Sequence, residues 1–447
     1  MFDDLDSRRI TVMGLGRFGG GAGVTRWLVA QGAKVLVTDR QSEAEIGPSL
    51  ESIQDLVERG DVELRLGEHR EDDFRECDLV VANPAVPKPW ENPFLLAAQN
   101  AGVPITTEIR LLIERLDRNR IIGVTGTAGK STVSSMIHHL LTQSGLKAHL
   151  GGNLGGSLLG SLEMIGEDDW IVLELSSAML HWLGKGVGYE GAEGFSPHVG
   201  VLTNLEPNHL DWHGSFEHYQ QSKHNIFHYQ ADGDHQITAD LFHQRRKLPL
   251  KLPGKHNQLN GQFAMATVLR AADILPQDAA PLLASFEGLP HRLQLIAEHE
   301  GIAFYNDSKS TTPKATVLAV ESFKKPSKIH LIAGGYDKGV DLSPIAALST
   351  RIGGLYTIGA TGSTLAAQAG SPAVYSETLD QAFAAALERM TSGGEGILLL
   401  SPGCASWDQF DNFEQRGERF AALIQQLGRP TFSHSQECGN VNPAPHP

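Results

Sequence analysis

The chain has 447 residues, with 37 Lys and Arg against 52 Asp and Glu, a formal net charge of −15, and cysteines only at 77, 404 and 438. That acidic balance excludes nucleic acid as the main partner, because phosphate backbones are bound by basic surfaces. Three widely separated cysteines make neither a disulfide framework nor a zinc site, which suits a reducing compartment. The N-terminus, Met-Phe-Asp-Asp-Leu-Asp, lacks the basic segment and apolar run of a signal peptide, and no later apolar run could span a bilayer, so a soluble cytoplasmic protein with no membrane partner is expected.

This length predicts roughly three domains. Three blocks of alternating strand and helix patterns are legible, the signature of an α/β fold built on parallel sheets. The first opens with a strand at 9–13, has further strand-like runs at 34–38 and 78–81, and ends near Thr107. Gly14-x-Gly16-x-x-Gly19 follows its first strand and Asp39 closes the second, the spacing of a dinucleotide fingerprint. Such a turn offers a helix N-terminus to a diphosphate and an acid to a ribose or base. NAD, a nucleotide-linked substrate such as a UDP conjugate, and an empty structural turn all remain open, the nucleotide-linked substrate being preferred.

The second block carries Gly126-Thr127-Ala128-Gly129-Lys130-Ser131-Thr132, which follows an apolar strand and enters a helix with Val133, Met136, Ile137, Leu140 and Leu141 on one face. The stretch reads as a phosphate cradle: glycines admit backbone N–H groups, Lys130 neutralises charge, and the Ser131 hydroxyl can ligate magnesium. ATP is therefore the expected nucleotide, although the general pattern wants glycine where Val124 stands. A plain turn at a helix start would explain the glycines but not Lys and Ser directly after them. Glu174 ends a strand at 170–175, either as a magnesium carboxylate or as a strand-end acid facing water. His209 follows a strand at 198–205. With His213, His218 and His224 it raises zinc, but no Glu follows it in the metalloprotease pattern, so a single His on magnesium or manganese is the reading kept. Lys223, on a helix after that loop, reads by itself as a solvated side chain.

The third block opens at Pro290-His291-Arg292, with strands at 302–305, 328–333, 355–358 and 396–400. Asp307-Ser308-Lys309 follows the first of these and can offer a carboxylate to a ribose and an ammonium to a phosphate, or merely cap a helix. Beyond Gly428 the Pro-, Ser-, Asn- and His-rich tail is expected to be disordered.

Taken in order, these motifs resemble the Mur ligase family of peptidoglycan stem-peptide ligases. The resemblance also covers Gly-Gly-Asn-Leu-Gly (151–155), Leu-Glu-Leu-Ser-Ser (173–177), Asn-His-Leu-Asp (208–211), His-Asn-Gln-Leu-Asn (256–260) and Leu-Pro-His-Arg (289–292). Ser-Pro-Gly-Cys-Ala-Ser-Trp-Asp-Gln-Phe (401–410) and Asn-Phe-Glu-Gln-Arg-Gly (412–417) point to its D-glutamate-adding branch. The resemblance implies an α/β fold of three domains: 1–107, Rossmann-like, binding a UDP substrate; 108–289, a central P-loop ATPase-type parallel sheet; and 290–429, a Rossmann-like closing domain, with 430–447 as tail. It implies ATP-dependent addition of D-glutamate to UDP-N-acetylmuramoyl-L-alanine through an acyl phosphate, by a monomer.

By the same resemblance, Gly126, Thr127, Gly129, Lys130, Ser131 and Thr132 hold ATP with Asn257, Asn260, Arg292 and Asp307. Two magnesium ions sit among Ser131, Glu174, His209 and a carbamylated Lys223. Lys309, Thr311, Lys338, Ser406 and Phe413 border the D-glutamate pocket; Lys130, His209, Lys223 and Lys309 form the catalytic set. Asn153 meets the muramoyl substrate, while Gly14, Leu15, Gly16, Asp39 and Arg40 take its UDP end. Three departures stand out: Ala128 for the usual Asn, Ala178-Met179 for Phe-Gln, and a short stretch from Lys223 to Lys255, expected to remove peripheral strands. A folate-polyglutamate-type ligase and a nucleotide-gated binding protein are the rival readings.

Overall fold

The computed structural model describes residues 2, 4–16, 20–242, 247–391, 395–428 and 431–432. Gly19 of the glycine turn, Cys438 and residues 433–447 lie outside them. The described strands form three sheets, and the chain divides into two compact units, Met1–Lys247 with Leu259–Leu283 and Leu248–Gln258 with Ala284–Pro447.

The first unit holds two all-parallel sheets. β1 (Arg9–Met13), β2 (Lys34–Asp39), β3 (Val62–Leu66), β4 (Leu79–Ala82) and β5 (Ile105–Thr106) run in the order β3-β2-β1-β4-β5. β6 (Ile121–Thr125), β7 (Ala148–Gly152), β8 (Trp170–Glu174), β9 (Val199–Leu202) and β10 (His235–Ile237) run β10-β9-β6-β8-β7. β6 and β8 are buried along their whole length, as strands covered on both faces must be. In each sheet the strand order reverses at the first strand, which opens a crevice at its carboxyl end. The turns at 14–16 and 126–129 occupy those two places.

One packing detail sets the depth of the second crevice. Gly123 of β6 and Gly200 of β9 are register partners. A Cβ on Gly123 would come within 2.8 Å of Ile226 Cδ1, and one on Gly200 within 2.8 Å of the Ile226 carbonyl oxygen. The paired glycines therefore let helix Phe216–His228 lie close on the sheet, and this buries Lys223.

The second unit holds a seven-stranded sheet: β11 (Gln294–His299), β12 (Ile302–Asn306), β13 (Ile329–Gly334), β14 (Gly354–Ile358), β15 (Val374–Glu377), β16 (Gly396–Leu400) and β17 (Thr431–Phe432), ordered β15-β14-β13-β16-β12-β11-β17. It departs from the expected parallel sheet, because β11 runs antiparallel to both neighbours. The cause is local: Glu300 and Gly301 have φ of 49° and 81°, the pair of left-handed residues that closes a two-residue hairpin. β17 also gives sheet pairing to two residues of the stretch read as tail. Among the described residues no helix is long and apolar enough to cross a membrane.

Candidate active site

The phosphate loop of the first unit is shaped by two glycines. Gly126 (φ 144°) leaves no room for a Cβ, which would lie 1.9 Å from Thr203 Oγ1, and Gly129 (φ 86°) precedes helix Lys130–Gln143 in the left-handed conformation with Asn260 beside it. Lys130 Nζ donates to the Gly126 and Thr127 carbonyls at 3.0 and 3.2 Å, so the ammonium lies across the loop. Ala128 is held by its backbone: its N–H donates to Asn204 Oδ1 at 2.9 Å, and its carbonyl accepts from Thr203 Oγ1 and Asn204 Nδ2 at 2.6 and 3.0 Å. A methyl group therefore suffices at that position. Thr127 is fixed through Tyr219, whose hydroxyl lies 2.9 Å from Thr127 Oγ1.

Beside the loop, Ser131, Glu174 and Lys223 are all buried. Lys223 Nζ donates to Thr125 Oγ1 at 3.0 Å and sits 5.1 Å from the Tyr219 ring centre. Burial, reinforced by repulsion from Lys130 and partly offset by Glu174, pushes its ammonium down to about 7. The solvated-helix reading of Lys223 is therefore wrong, for the packing reason given above. Glu174 Oε1 accepts from Asn153 Nδ2 at 2.9 Å, while Oε2 is buried with no hydrogen-bond partner among the described residues. Asn153 thus holds Glu174 in place. His209 stands in the left-handed region (φ 51°) before the short helix Leu210–His213, and burial lowers its imidazole pKa, with Asp211 opposing and Lys130 and Lys223 assisting. Among the described residues no three His, Cys, Asp or Glu side chains converge as a metal cage. An ion here would draw also on Ser131 and Lys223.

At the other glycine turn, Asp39 is buried and braces the loop: Oδ2 accepts from the Leu15 N–H and Oδ1 from the Gln41 N–H, both at 2.9 Å. Gly14 and Gly16 (φ 86° and 68°) lie against Asn83, 2.9 Å from the place a Gly16 Cβ would take. Arg40 is exposed and its charge, like that of Asp39, acts on the imidazole of His69.

The second unit gathers the remaining predicted residues. Asp307 accepts from the Leu293 N–H at 3.0 Å and from Ser401 Oγ at 2.7 Å; burial pushes its carboxyl up to about 6 against these bonds and Arg292. Asn257 is buried, its Nδ2 donating to the Pro253 carbonyl at 2.7 Å. Two ammonium groups lie over aromatic faces, Lys309 at 4.1 Å from the Phe413 ring centre and Lys338 at 4.4 Å from that of Trp407. Ser406 is buried and Thr311 half-buried. Arg416, given no role by sequence, is buried and donates to Ser308 and to the Cys404 and Ala405 carbonyls, which ties the 401–410 segment to the Asp307-Ser308-Lys309 turn.

Family models match all three blocks: "Mur ligase MurD-like, N-terminal domain" over residues 8–107, "Mur ligase middle domain" over 124–241, and "Mur ligase, glutamate ligase domain" over 291–403. The UDP-N-acetylmuramoylalanine--D-glutamate ligases of Koribacter versatilis (strain Ellin345) and Geotalea uraniireducens (strain Rf4) are each 33% identical to it over 472 residues, covering 95% of this chain and 98% of theirs. The chain belongs to the Mur ligase family. The fold of that family is seen in the solved UDP-N-acetylmuramate-alanine ligase MurC of Thermotoga maritima (TM-score 0.56, 20% identity, 94% of this chain and 99% of that one). It is seen also in the MurF ligase of the same organism in complex with ADP (TM-score 0.54, 15% identity, 95% and 100%).

The residues that sequence reasoning passed over are Thr125, Asn204, Asn83, Ser401 and Arg416. All of them support a neighbouring residue, and polar side chains at strand ends and in loops give no sign of which backbone group they will meet. Arg416 did have a signal, its place inside Asn-Phe-Glu-Gln-Arg-Gly (412–417).

Proposed function

We propose that this chain joins D-glutamate to UDP-N-acetylmuramoyl-L-alanine with ATP, releasing ADP and phosphate, in the cytoplasm and as a monomer. The observation that carries the reading is full-length similarity to relatives named for that reaction, in a chain whose phosphate loop, buried Lys223 and Glu174 stand together. We assign 1–107 to the UDP group, 108–289 to ATP, and 290–429 to D-glutamate and to closing on the nucleotide. The Gly14–Gly16 turn braced by Asp39 would receive the diphosphate, with Arg40 at its rim.

In the first step the alanyl carboxylate oxygen attacks the γ-phosphorus and ADP leaves. Two anions must approach, so Lys130 would neutralise the phosphates, with loop N–H groups and the Ser131 and Thr132 hydroxyls contributing around them. Asn257, Asn260, Arg292 and Asp307 would orient the nucleotide. In the second step the D-glutamate amine attacks the acyl carbon, the C–O bond breaks and phosphate departs. Lys309, Thr311, Lys338, Ser406 and Phe413 would hold the amino acid, ammonium groups opposite carboxylates.

The donor set fits divalent metal: among the described residues a buried carboxylate oxygen of Glu174 has no hydrogen-bond partner, and Ser131, His209 and a carbamate on Lys223 would complete a hard, mostly oxygen shell. An amine titrating near 7 can supply the neutral form that adds to carbon dioxide, losing one proton and turning a cation into an anionic oxygen ligand. Two magnesium ions, or manganese in their place, would there neutralise phosphate and carboxylate charge.

Phosphate release assayed with UDP-N-acetylmuramoyl-L-alanine and a panel of D- and L-amino acids tests the reading. D-Glutamate should drive release more than any other amino acid. Release that ignores the amino acid, or follows a different one, would overturn it.

A further inference from the structure

His209 occupies a backbone region that non-glycine residues adopt only where their surroundings fix them. The four-residue helix after it, Leu210–His213, is too short to hold itself, and its anchors come from elsewhere in the first unit. Trp212 Nε1 donates to the Pro84 carbonyl at 3.1 Å, and the Lys88 N–H donates to the Trp212 carbonyl at 3.2 Å. The Trp212 ring packs edge-on against Trp90 at 5.8 Å and against His181 at 5.5 Å. The Trp212 and His213 N–H groups return to the His209 carbonyl at 3.1 and 2.9 Å, and His213 Nε2 is hydrogen-bonded to Ser177 Oγ at 2.9 Å.

Pro84 is not an arbitrary acceptor. It follows Asn83, the residue against which Gly14 and Gly16 are folded. Asn83 Nδ2 reaches the Gly14 carbonyl at 3.4 Å, its N–H donates to the Met13 carbonyl at 3.0 Å, and its Oδ1 accepts from the Ala85 N–H at 2.9 Å. The glycine turn and the carbonyl that anchors Trp212 are thus joined through two consecutive residues, Asn83 and Pro84.

We propose that Trp212 is a positioning residue for His209, through which occupancy of the Gly14–Gly16 turn by a nucleoside diphosphate stiffens the helix beside the metal position. The proposal rests on the reading of that turn as the UDP site. It makes diphosphate binding and divalent-cation binding mutually favourable, since coupling between two sites is reciprocal.

Hydrogen exchange of the segment 209–214, read by mass spectrometry on the whole protein without metal, tests it. UDP added to the wild type should slow exchange there by about fivefold. Trp212→Phe keeps a ring and removes the Nε1 donor; it should speed exchange of the segment by about tenfold, leave helix Lys130–Gln143 unaffected and abolish the response to UDP. The same variant should raise the Mg2+ concentration for half-maximal ligation by about tenfold at an unchanged KM for D-glutamate. Calorimetry of UDP separates the two readings. UDP that binds without slowing 209–214 overturns the linkage, whereas UDP that does not bind overturns the UDP-site assignment and leaves the variant to decide on Trp212. Wild-type exchange and Mg2+ requirement in Trp212→Phe would overturn the positioning role. Should the variant lose protection throughout the first unit, the wild-type response to UDP decides alone.

Discussion

Lys223→Met preserves the length of the side chain and removes its charge, and the structure predicts a more stable, inactive protein. Lys223 is 2% exposed, and among the described residues its ammonium makes one hydrogen bond, to Thr125. Its pKa falls from 10.5 to about 7 on folding. Below pH 7 the amine is protonated in both states, and the folded state carries the cost of burying a cation. Between about 7 and 10.5 the unfolded chain keeps a proton that the folded chain has released, so wild-type stability rises with pH, by up to about 1.4 kcal/mol per unit. Integrated over that window the effect is about 5 kcal/mol, and relaxation around the charge should reduce what is measured to about 2–4 kcal/mol near pH 6. Methionine lacks the slope, so the advantage of Lys223→Met should shrink to near zero by about pH 10. Because two units need not unfold together, stability is best read from hydrogen exchange in helix Phe216–His228, in buffers free of carbon dioxide. A variant less stable than wild type near neutrality, or a difference that does not change with pH, would refute the reasoning.

Lys130→Ala should remove ATP turnover while thermal unfolding stays within about 1 kcal/mol of wild type, since the ammonium lies across the phosphate loop, bonded to the Gly126 and Thr127 carbonyls, rather than in an apolar core; normal ligation would sink the phosphate-loop assignment. Lys338→Ala and Ser406→Ala should each raise the KM for D-glutamate by about tenfold or more with little change in that for ATP, as loss of a charged or buried hydrogen-bonding contact to a carboxylate would do. The opposite pattern would move the amino-acid pocket elsewhere. For Asp307, whose pKa burial pushes up to about 6, kcat/KM for ATP should fall as pH drops through about 6, because the carboxylate accepts from a ribose hydroxyl more strongly than the protonated acid does. Asp307→Asn should flatten that acid limb at a lower plateau, and a retained limb in the variant would assign it to another group.

The parts of the fold that were legible are those where one physical demand dominates a stretch of chain. A strand buried on both faces must be largely apolar, so β1, β6, β8 and β16 stood out, and the helix after the phosphate loop declared itself by its apolar face. β3, β7, β10, β11 and β15 did not: each is short or carries charged, histidine or glycine positions, and each borrows its stability from a neighbouring strand. The Glu300-Gly301 turn carries a weak hairpin signal that an alternating strand-helix pattern overrode. In the site, Lys130, Ser131 and Glu174 were readable because glycine spacing and strand ends place them. Lys223 was not, since its burial depends on Gly123 and Gly200, far away in sequence and meaningful only once the strands are in register.

The account stands most directly on how the alanyl carboxylate is activated. With both carboxylate oxygens of UDP-N-acetylmuramoyl-L-alanine labelled with oxygen-18, the proposed acyl phosphate requires one labelled oxygen to leave with the phosphate in each turnover, because the D-glutamate amine breaks the bond between the acyl carbon and the bridging oxygen, which stays on phosphorus. Mass spectrometry of the released phosphate reads this. One labelled atom per phosphate, formed in step with ADP and the glutamyl product, is the predicted result; unlabelled phosphate, or label appearing in AMP, would contradict it.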